Sequence, residues 1–423
     1  MKNFFRNIHL YLSLAAGLVI FTSCFTGVIL VFEDELTHSF NKGRYYVKSQ
    51  PNRLPLMELE AAVKAKVPGA KIVSIRIHED ASRSAEISYT EKKPGGDKKP
   101  TEQKNEKGQK PQVEKSEKNP GTGDKKQPAA GAGGKKEEKK IAYVNPYTGQ
   151  VIELYSYKGT FFHTVMSIHR WLLSGDVGKM IVGVSTIIFF FILITGIILW
   201  WPKTRKIMLQ RMKIKTGASF KRLNHDQHVV LGFYTSVFLF VFVFTGVGMS
   251  FGWFKKGVNK VTNSPEKNPS PPNSTFQAGN KTISFDEALA TAKKNTQDAE
   301  LYTINAPKDS TEAIAVAVLT KKSMHEFGPD LIYLDQYTGQ QIGTLPYSER
   351  SLGYTINNTL RPVHTGAIFG LPSKIFALIV ALLGASFPVT GTIMWLNRIR
   401  KKKKGKLNSS GRKTEKSTVE IVA

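Results

Sequence analysis

Residues 180–202 read MIVGVSTIIFFFILITGIILWWP, a run with no charged side chain that closes on Trp200-Trp201-Pro202. About 20 apolar residues cross a bilayer core of roughly 30 Å as a helix, and paired tryptophans belong at the interface where such a helix ends. Three more runs of this kind lie outward from it: Leu10 to Phe32, Val229 to Phe254, and Ile375 to Leu396. Pro388 inside the last removes a backbone hydrogen bond and predicts a kink. The first run ends on Glu33-Asp34-Glu35. It exceeds the apolar core of a cleavable signal peptide, roughly 7–15 residues, and reads as a retained anchor. The fold class expected is therefore an α-helical membrane protein with four transmembrane helices. Cys24 is the only cysteine of 423 residues, which excludes a disulfide scaffold.

A net charge of +27 invites a nucleic-acid reading, and its placement argues against one. Residues 202–227 carry eight Lys/Arg against Asp226 alone, and the tail from Asn397 carries ten against two acids. Both belong on the cytoplasmic side, with the N-terminus, by the positive-inside tendency. No nucleic-acid partner is expected; membrane lipid is, at the basic loop.

Between the helices, 91–140 is rich in Lys, Gly, Pro, Glu and Gln and is expected to be disordered. On either side of it are a helical pattern from Leu56 to Val67 and strand-like stretches around Ile72–Ile77 and Ile141–Val144. A helix over Phe285 to Lys294 and strands at 301–304, 313–319 and 331–334 repeat this grammar. The turns Tyr147-Thr148-Gly149-Gln150 and Tyr337-Thr338-Gly339-Gln340 are identical. Two small α+β modules are expected, each a helix on an antiparallel sheet, with 262–280 as a second flexible piece. The chain then divides into helix 1 (1–35), a first outer module (36–158) with its insertion (91–140), a pre-helix and helix 2 (159–202), and a basic loop (203–227). Helix 3 (228–254), a second outer module (255–346), a pre-helix and helix 4 (347–397), and a basic tail (398–423) follow.

The repeat extends into the helices. His9 lies 18 residues before Gly27 of Phe-Thr-Gly-Val, and His228 lies 18 before Gly246 of the same tetrapeptide. His169 lies 27 before Gly196 and His364 27 before Gly391, each in Thr-Gly-x-Ile-x-Trp. Two helices separate the copies, so the repeats are parallel, about an axis along the membrane normal. Each pair offers two imidazoles from different helices on one side of the bilayer. That suits bis-histidine ligation of two b-type haems, one toward each face. His225 and His163 are further candidates, suited to hydrogen bonding or to a carboxylate of the cofactor, and Met166 or Met394 is a possible displaced ligand. His38, His78 and His325 read as ordinary surface residues. Ligands at opposite interfaces would lie ~20–30 Å apart, unless the pre-helical segments dip inward. No Ser/His/Asp or Cys/His constellation and no Gly-x-Gly-x-x-Gly after a strand suggests a nucleophile or a nucleotide cofactor.

His169-Arg170-Trp171-Leu172 with Gly175, Gly178 and the Thr-Gly-Ile-Ile-Leu-Trp-Trp-Pro ending resembles the PepSY-associated transmembrane protein family. So does His364-Thr365-Gly366 with Gly370 and the ending from Val389 to Trp395. The outer modules resemble PepSY domains. The resemblance implies a bacterial inner-membrane protein, often linked to iron uptake, whose relatives include di-haem ferric-siderophore reductases. It implies His9 and His228 as ligands of the cytoplasmic-side haem b and His169 and His364 as ligands of the outer one. Two departures stand out: Leu10-Tyr11 follows His9 in place of Arg-Trp, and His225-Asp226-Gln227-His228 offers two histidines. A ferric siderophore or other ferric chelate would be the electron acceptor, and a cytoplasmic flavoprotein or membrane quinol the donor. A different class is also consistent with these modules: a non-enzymatic sensor or peptidase regulator. A permease is a weaker fit, because no span carries an acidic residue.

Overall fold

The computed structural model describes residues 1–91, 138–266, 269–275, 279, 281–323, 325 and 328–420, with side chains to Lys401. In chain order, α1 (Lys2–Leu30), α2 (Glu33–Phe40), α3 (Lys42–Tyr45) and α4 (Leu56–Lys66) precede strands β1 (Ala70–His78), β2 (Ala85–Glu91), β3 (Lys140–Val144) and β4 (Val151–Tyr155). Next come α5 (Phe161–Trp171), α6 (Gly175–Trp200), α7 (Arg205–Arg211), α8 (Phe220–Asp226), a π-helical turn (Gln227–Leu231), α9 (Gly232–Ser250) and α10 (Gly252–Val261). The second module follows: α11 (Phe285–Lys294), then β5 (Ala299–Asn305), β6 (Ile314–Thr320), β7 (Asp330–Leu334) and β8 (Gln341–Leu345). α12 (Leu352–Thr365) and α13 (Leu371–Glu420) end the chain. Most of the insertion expected at 91–140 lies outside the described residues; its ends, Glu91 and Lys140, belong to paired strands.

Among the described residues, four helices are long and apolar enough to cross a membrane: Lys2–Leu30, Gly175–Trp200, Phe220–Ser250 and Leu371–Lys401. The α6 run has apolar residues on every side, which suits a helix solvated by lipid rather than water. α1 packs along α6 and α13, and α9 along α6, α12 and α13. Pro388 stays within a continuous α13.

The two outer modules do not stand apart. Their strands form one eight-stranded antiparallel sheet, in the order β4-β3-β2-β1-β5-β6-β7-β8. The join is β1 on β5, with Ile75 opposite Ile304 and Ile77 opposite Tyr302. Left separate, these two strands would expose rows of unpaired N–H and C=O groups; pairing satisfies both at once. α4 and α11 cover one face over a shared core that includes Leu59, Val63, Ile75, Ile87, Ile304 and Val316, all at 0% exposure. The two helices are also tied at their N-termini: the Asp286 carboxylate accepts from the backbone N–H of Leu56 at 2.7 Å and of Met57 at 3.0 Å. The matching hairpins take one form. Gly149 and Gly339 both have φ 71°, which only glycine adopts freely, and Tyr147 and Tyr337 each donate to a backbone carbonyl, of Ala81 and Ser310. The segment expected to be flexible at 262–280 docks in part: Ser274 is buried, and its hydroxyl accepts from Gln336 N–H.

Three histidines expected at the surface serve the fold instead. His325 is buried against Tyr347, and His38 stacks on Tyr45 at 3.8 Å. His78 Nε2 lies 3.4 Å from Glu86, whose carboxylate is also paired with Arg76 and lies near Arg83. Burial pushes the Glu86 carboxyl up, but His78, Arg76 and Arg83 outweigh it and hold it below the usual glutamate range. A depressed carboxyl contributes stability that is fully present above its unfolded value of about 4.3 and is lost as pH falls through the folded value. Glu86→Gln is therefore expected to lower the melting temperature at neutral pH and to flatten its fall on acidification. A melting curve with wild-type acid sensitivity would show that other carboxylates carry that limb.

Candidate functional site: two facing histidine pairs

The helices α5 and α12 are the pre-helical segments, and both fold back into the bundle. α5 ends on Leu172 and Leu173 with φ of 47° and 58°, a left-handed conformation that costs roughly 1–2 kcal/mol per non-glycine residue. The reversal into α6 then brings Gly178 so close to α5 that a Cβ there would sit 1.6 Å from the Trp171 carbonyl oxygen. Gly366 makes the corresponding reversal after α12 at φ 75°, where a Cβ would meet Ser373 O at 2.6 Å. Glycine is required at both.

These reversals lay His169 against α1 and His364 against α9. His169 Nδ1 donates to Ser23 O at 2.9 Å and lies 3.1 Å from Thr26 Oγ1. His364 Nδ1 lies 2.8 Å from Thr245 Oγ1. On the other side of the bundle, His9 Nδ1 donates to Ile192 O at 3.1 Å and lies 3.0 Å from Thr195 Oγ1, and His228 Nδ1 lies 2.9 Å from Thr390 Oγ1. Every one of the four threonines spends its hydroxyl proton on a carbonyl of its own helix, three or four residues back. Each can therefore only accept from the imidazole. All four histidines are thus held as the Nδ1–H tautomer, with the Nε2 lone pair free. The glycine after each threonine makes room for the ring: a Cβ at Gly27, Gly196, Gly246 or Gly391 would come within 3.2–3.6 Å of the histidine Cε1.

Two facing pairs result. The ring centres of His9 and His228 are 6.4 Å apart, and those of His169 and His364 are 6.3 Å apart. Two imidazoles bound trans to one metal ion, each with a metal–nitrogen bond of about 2.0 Å and a ring centre about 1.1 Å beyond, stand about 6.2 Å apart. Among the described residues, no group of three or more His, Cys, Asp or Glu is arranged to hold a metal ion. An ion between either pair would have to bring its own equatorial donors, as the iron of a flat macrocycle does.

The first pair opens on a cavity of about 540 Å³, within the range of small-molecule sites. Its wall toward the middle of the bundle is apolar, with Ile20, Phe189, Leu193 and Leu239; at its other end stand Arg6, Arg211 and Arg398. A smaller cavity of about 40 Å³ lies between Ser23 and Thr186 near the second pair, and Ile20 and Phe189 line both. The Trp200 indole N–H, beside the large cavity, and the Ser23 hydroxyl, beside the small one, are buried without a hydrogen-bond partner.

The remaining candidates fall outside the pairs. His225 lines the mouth of the large cavity and bonds to Asp226 at 3.3 Å. His163 sits edge-on to Tyr157, near the start of α5. Met394 lines the large cavity, whereas Met166 lies on α5. His228 stands in the π-helical turn, an irregularity frequent at functional sites.

Four apolar spans, an antiparallel sheet built from PepSY-like modules, and histidines paired inside the bundle define a membrane protein. More particularly, the chain belongs to the family described as the PepSY-associated TM region, whose profile matches residues 6–398. No curated protein matches it. Among solved structures, a candidate lipoprotein from Clostridium difficile 630 is 9% identical, with 71% of this chain and 98% of that one covered at a TM-score of 0.25.

Proposed function

We propose that this protein is an electron carrier of the bacterial inner membrane. It holds two b-type haems and reduces ferric iron, as a siderophore complex or another ferric chelate, on the side of the sheet. The single observation that carries this reading is the spacing of the two histidine pairs, each at the distance of two imidazoles trans on one metal. The orphaned Trp200 and Ser23 groups, the apolar cavity wall and the two-donor sites fit a macrocycle that supplies its own equatorial ligands.

Haem, when bound, supplies a one-electron ferric/ferrous couple. The chain's own residues do the rest. His9 and His228 would hold one group, and His169 and His364 the other, each through Nε2. Thr195, Thr390, Thr26 and Thr245 fix the rings in the required tautomer and orientation. The apolar walls keep water out and so help set potential. His9 and the Ser23–Thr26 turn are 14–17 residues apart on α1, which places the two levels about 21–25 Å apart along its axis. Ile20 and Phe189 lie between them as a shared apolar partition. In this reading the two halves are parallel repeats about an axis along the membrane normal, and each histidine pair takes one member from each half. The termini and the 203–227 loop face the cytoplasm, where a flavoprotein or a membrane quinol delivers electrons.

The test is the absorption spectrum of detergent-purified protein from haem-replete cells. Two haems per chain, with a Soret band, sharp reduced α and β bands, and reoxidation by a ferric chelate, are expected. A wild-type preparation with no stoichiometric Soret absorbance would end this reading.

A further inference from the structure

The large cavity is polarised in a way that the histidine pair does not require. Its inner wall is apolar, and its cations gather at the opposite end: Arg6 from α1, Arg211 from α7 and Arg398 from α13. Arg6 lies one turn before His9, and Arg398 lies two turns beyond Gly391, the residue that abuts His228. Both are thus displaced from the histidine pair in the same direction. Basic residues at a membrane boundary ordinarily mark topology, but these line a cavity between helices. Neither Arg6 nor Arg398 has an ion-pair partner among the described residues. Arg211 is held in place through its Nη1, which donates to Trp200 O and to Leu199 O, the latter at 3.3 Å.

A flat apolar body with two carboxylates on one edge matches this polarity. We infer that Arg6, Arg398 and Arg211 form the carboxylate-binding end of the large cavity, fixing the group held by His9 and His228 with its two propionates toward the 203–227 loop. The inference rests on the haem reading and adds an orientation to it. Guanidinium forks bind carboxylates in two parallel hydrogen bonds, and three of them outnumber the two carboxylates. The apolar edge is thereby turned toward Ile20 and Phe189, the partition shared with the second site, which shortens the gap that an electron must cross.

The experiment compares wild type with Arg6→Gln/Arg398→Gln and with the Arg6→Lys/Arg398→Lys control. Each is produced in haem-deficient cells and loaded in detergent with haem or with haem dimethyl ester, whose carboxylates are blocked. In wild type, esterification is expected to weaken retention at one of the two sites by about tenfold or more, the scale of a charge-assisted hydrogen bond. In the glutamine variant, which keeps only Arg211, that discrimination should shrink severalfold, and the lysine variant should restore part of it. Redox titration of the haem-loaded glutamine variant should show one of the two midpoint potentials lowered and the other unmoved, because positive charge beside the iron favours the reduced form. If both haems bind but ester and acid are retained equally by wild type, the inference falls while the haem reading stands. If ester and acid are retained equally while wild type binds anionic lipid vesicles and the glutamine variant does not, the cations serve lipid phosphate and the inference likewise falls. Absence of any haem would fell the parent reading instead.

Discussion

Replacing His9 by alanine is expected to take the haem content from two per chain to one, and replacing His169 to do the same at the other site. The expectation follows from how little else holds each centre. Each is supplied by two imidazoles, His9 with His228 and His169 with His364, and among the described residues no third His, Cys, Asp or Glu completes a metal-holding group. Removing one imidazole leaves its threonine and backbone partners in place, but neither Thr195 nor the Ile192 carbonyl can replace a nitrogen facing His228. The loss should be confined to one site, since the pairs lie about 21–25 Å apart along α1. The two single variants should therefore give different residual spectra, and the double variant should give none. His225→Ala and His163→Ala should keep both haems, because His225 faces Asp226 and His163 faces Tyr157. Haem-to-protein ratios and reduced-minus-oxidised spectra decide it. Two full haems in both His9→Ala and His169→Ala would refute the ligand assignment.

Much of the bundle was legible because a bilayer imposes a one-dimensional rule: uninterrupted apolar length. The runs beginning at Leu10, Met180, Val229 and Ile375 each start inside one of the four observed spans, and the first three overrun its end by a few residues. The helix expected over Phe285–Lys294 is there, and the structure closes its start with a reciprocal capping box between Ser284 and Glu287. The joining of two modules into one sheet was not legible. Alternation of apolar residues in β1 and β5 records which face each side chain takes, but it says nothing of which strand lies alongside. The pairing of Ile75 with Ile304, 229 residues away, is a tertiary fact.

The site divides in the same way. Equal spacings of 18 and 27 residues singled out His9, His228, His169 and His364, and the fold brings those four together in two pairs. The threonine contacts were missed, although their signal was present: each lies immediately before the glycine that defined the repeat. Spacing along one chain cannot reveal that His9 bonds across to Thr195 on α6 while His169 bonds back to Thr26 on α1. The depth of His169 and His364 was open too, because a segment ten residues ahead of an apolar run can lie outside the membrane or fold into it. Gly178 and Gly366 are the residues that decide for folding in, and their role appears only once the neighbouring carbonyls of Trp171 and Ser373 are placed.

The glycines also allow a converse of histidine removal, in which every ligand is kept and only its place is taken. A Cβ at Gly391 would stand 3.2 Å from His228 Cε1, closer than carbon atoms prefer by some tenths of an ångström. Alanine there should force a small shift that the Thr390 hydrogen bond, at 2.9 Å, resists. Leucine would set further methyl groups in the volume of the imidazole itself. The ring would then have to leave its threonine and with it its place 6.4 Å from the His9 ring. Gly391→Leu is expected to lose the same haem as His228→Ala, taking the content from two to one, and Gly391→Ala to fall between wild type and that limit. The change adds apolar surface to a membrane-spanning helix, so insertion should not suffer. Gly257→Ala is the control: it lies on α10 away from both pairs, a Cβ there meets nothing within 4 Å, and both haems should remain. Gly391→Leu protein with two intact bis-histidine spectra would mean that His228 does not need the position in which Thr390 and Gly391 hold it, and the pairing with His9 would lose its structural basis.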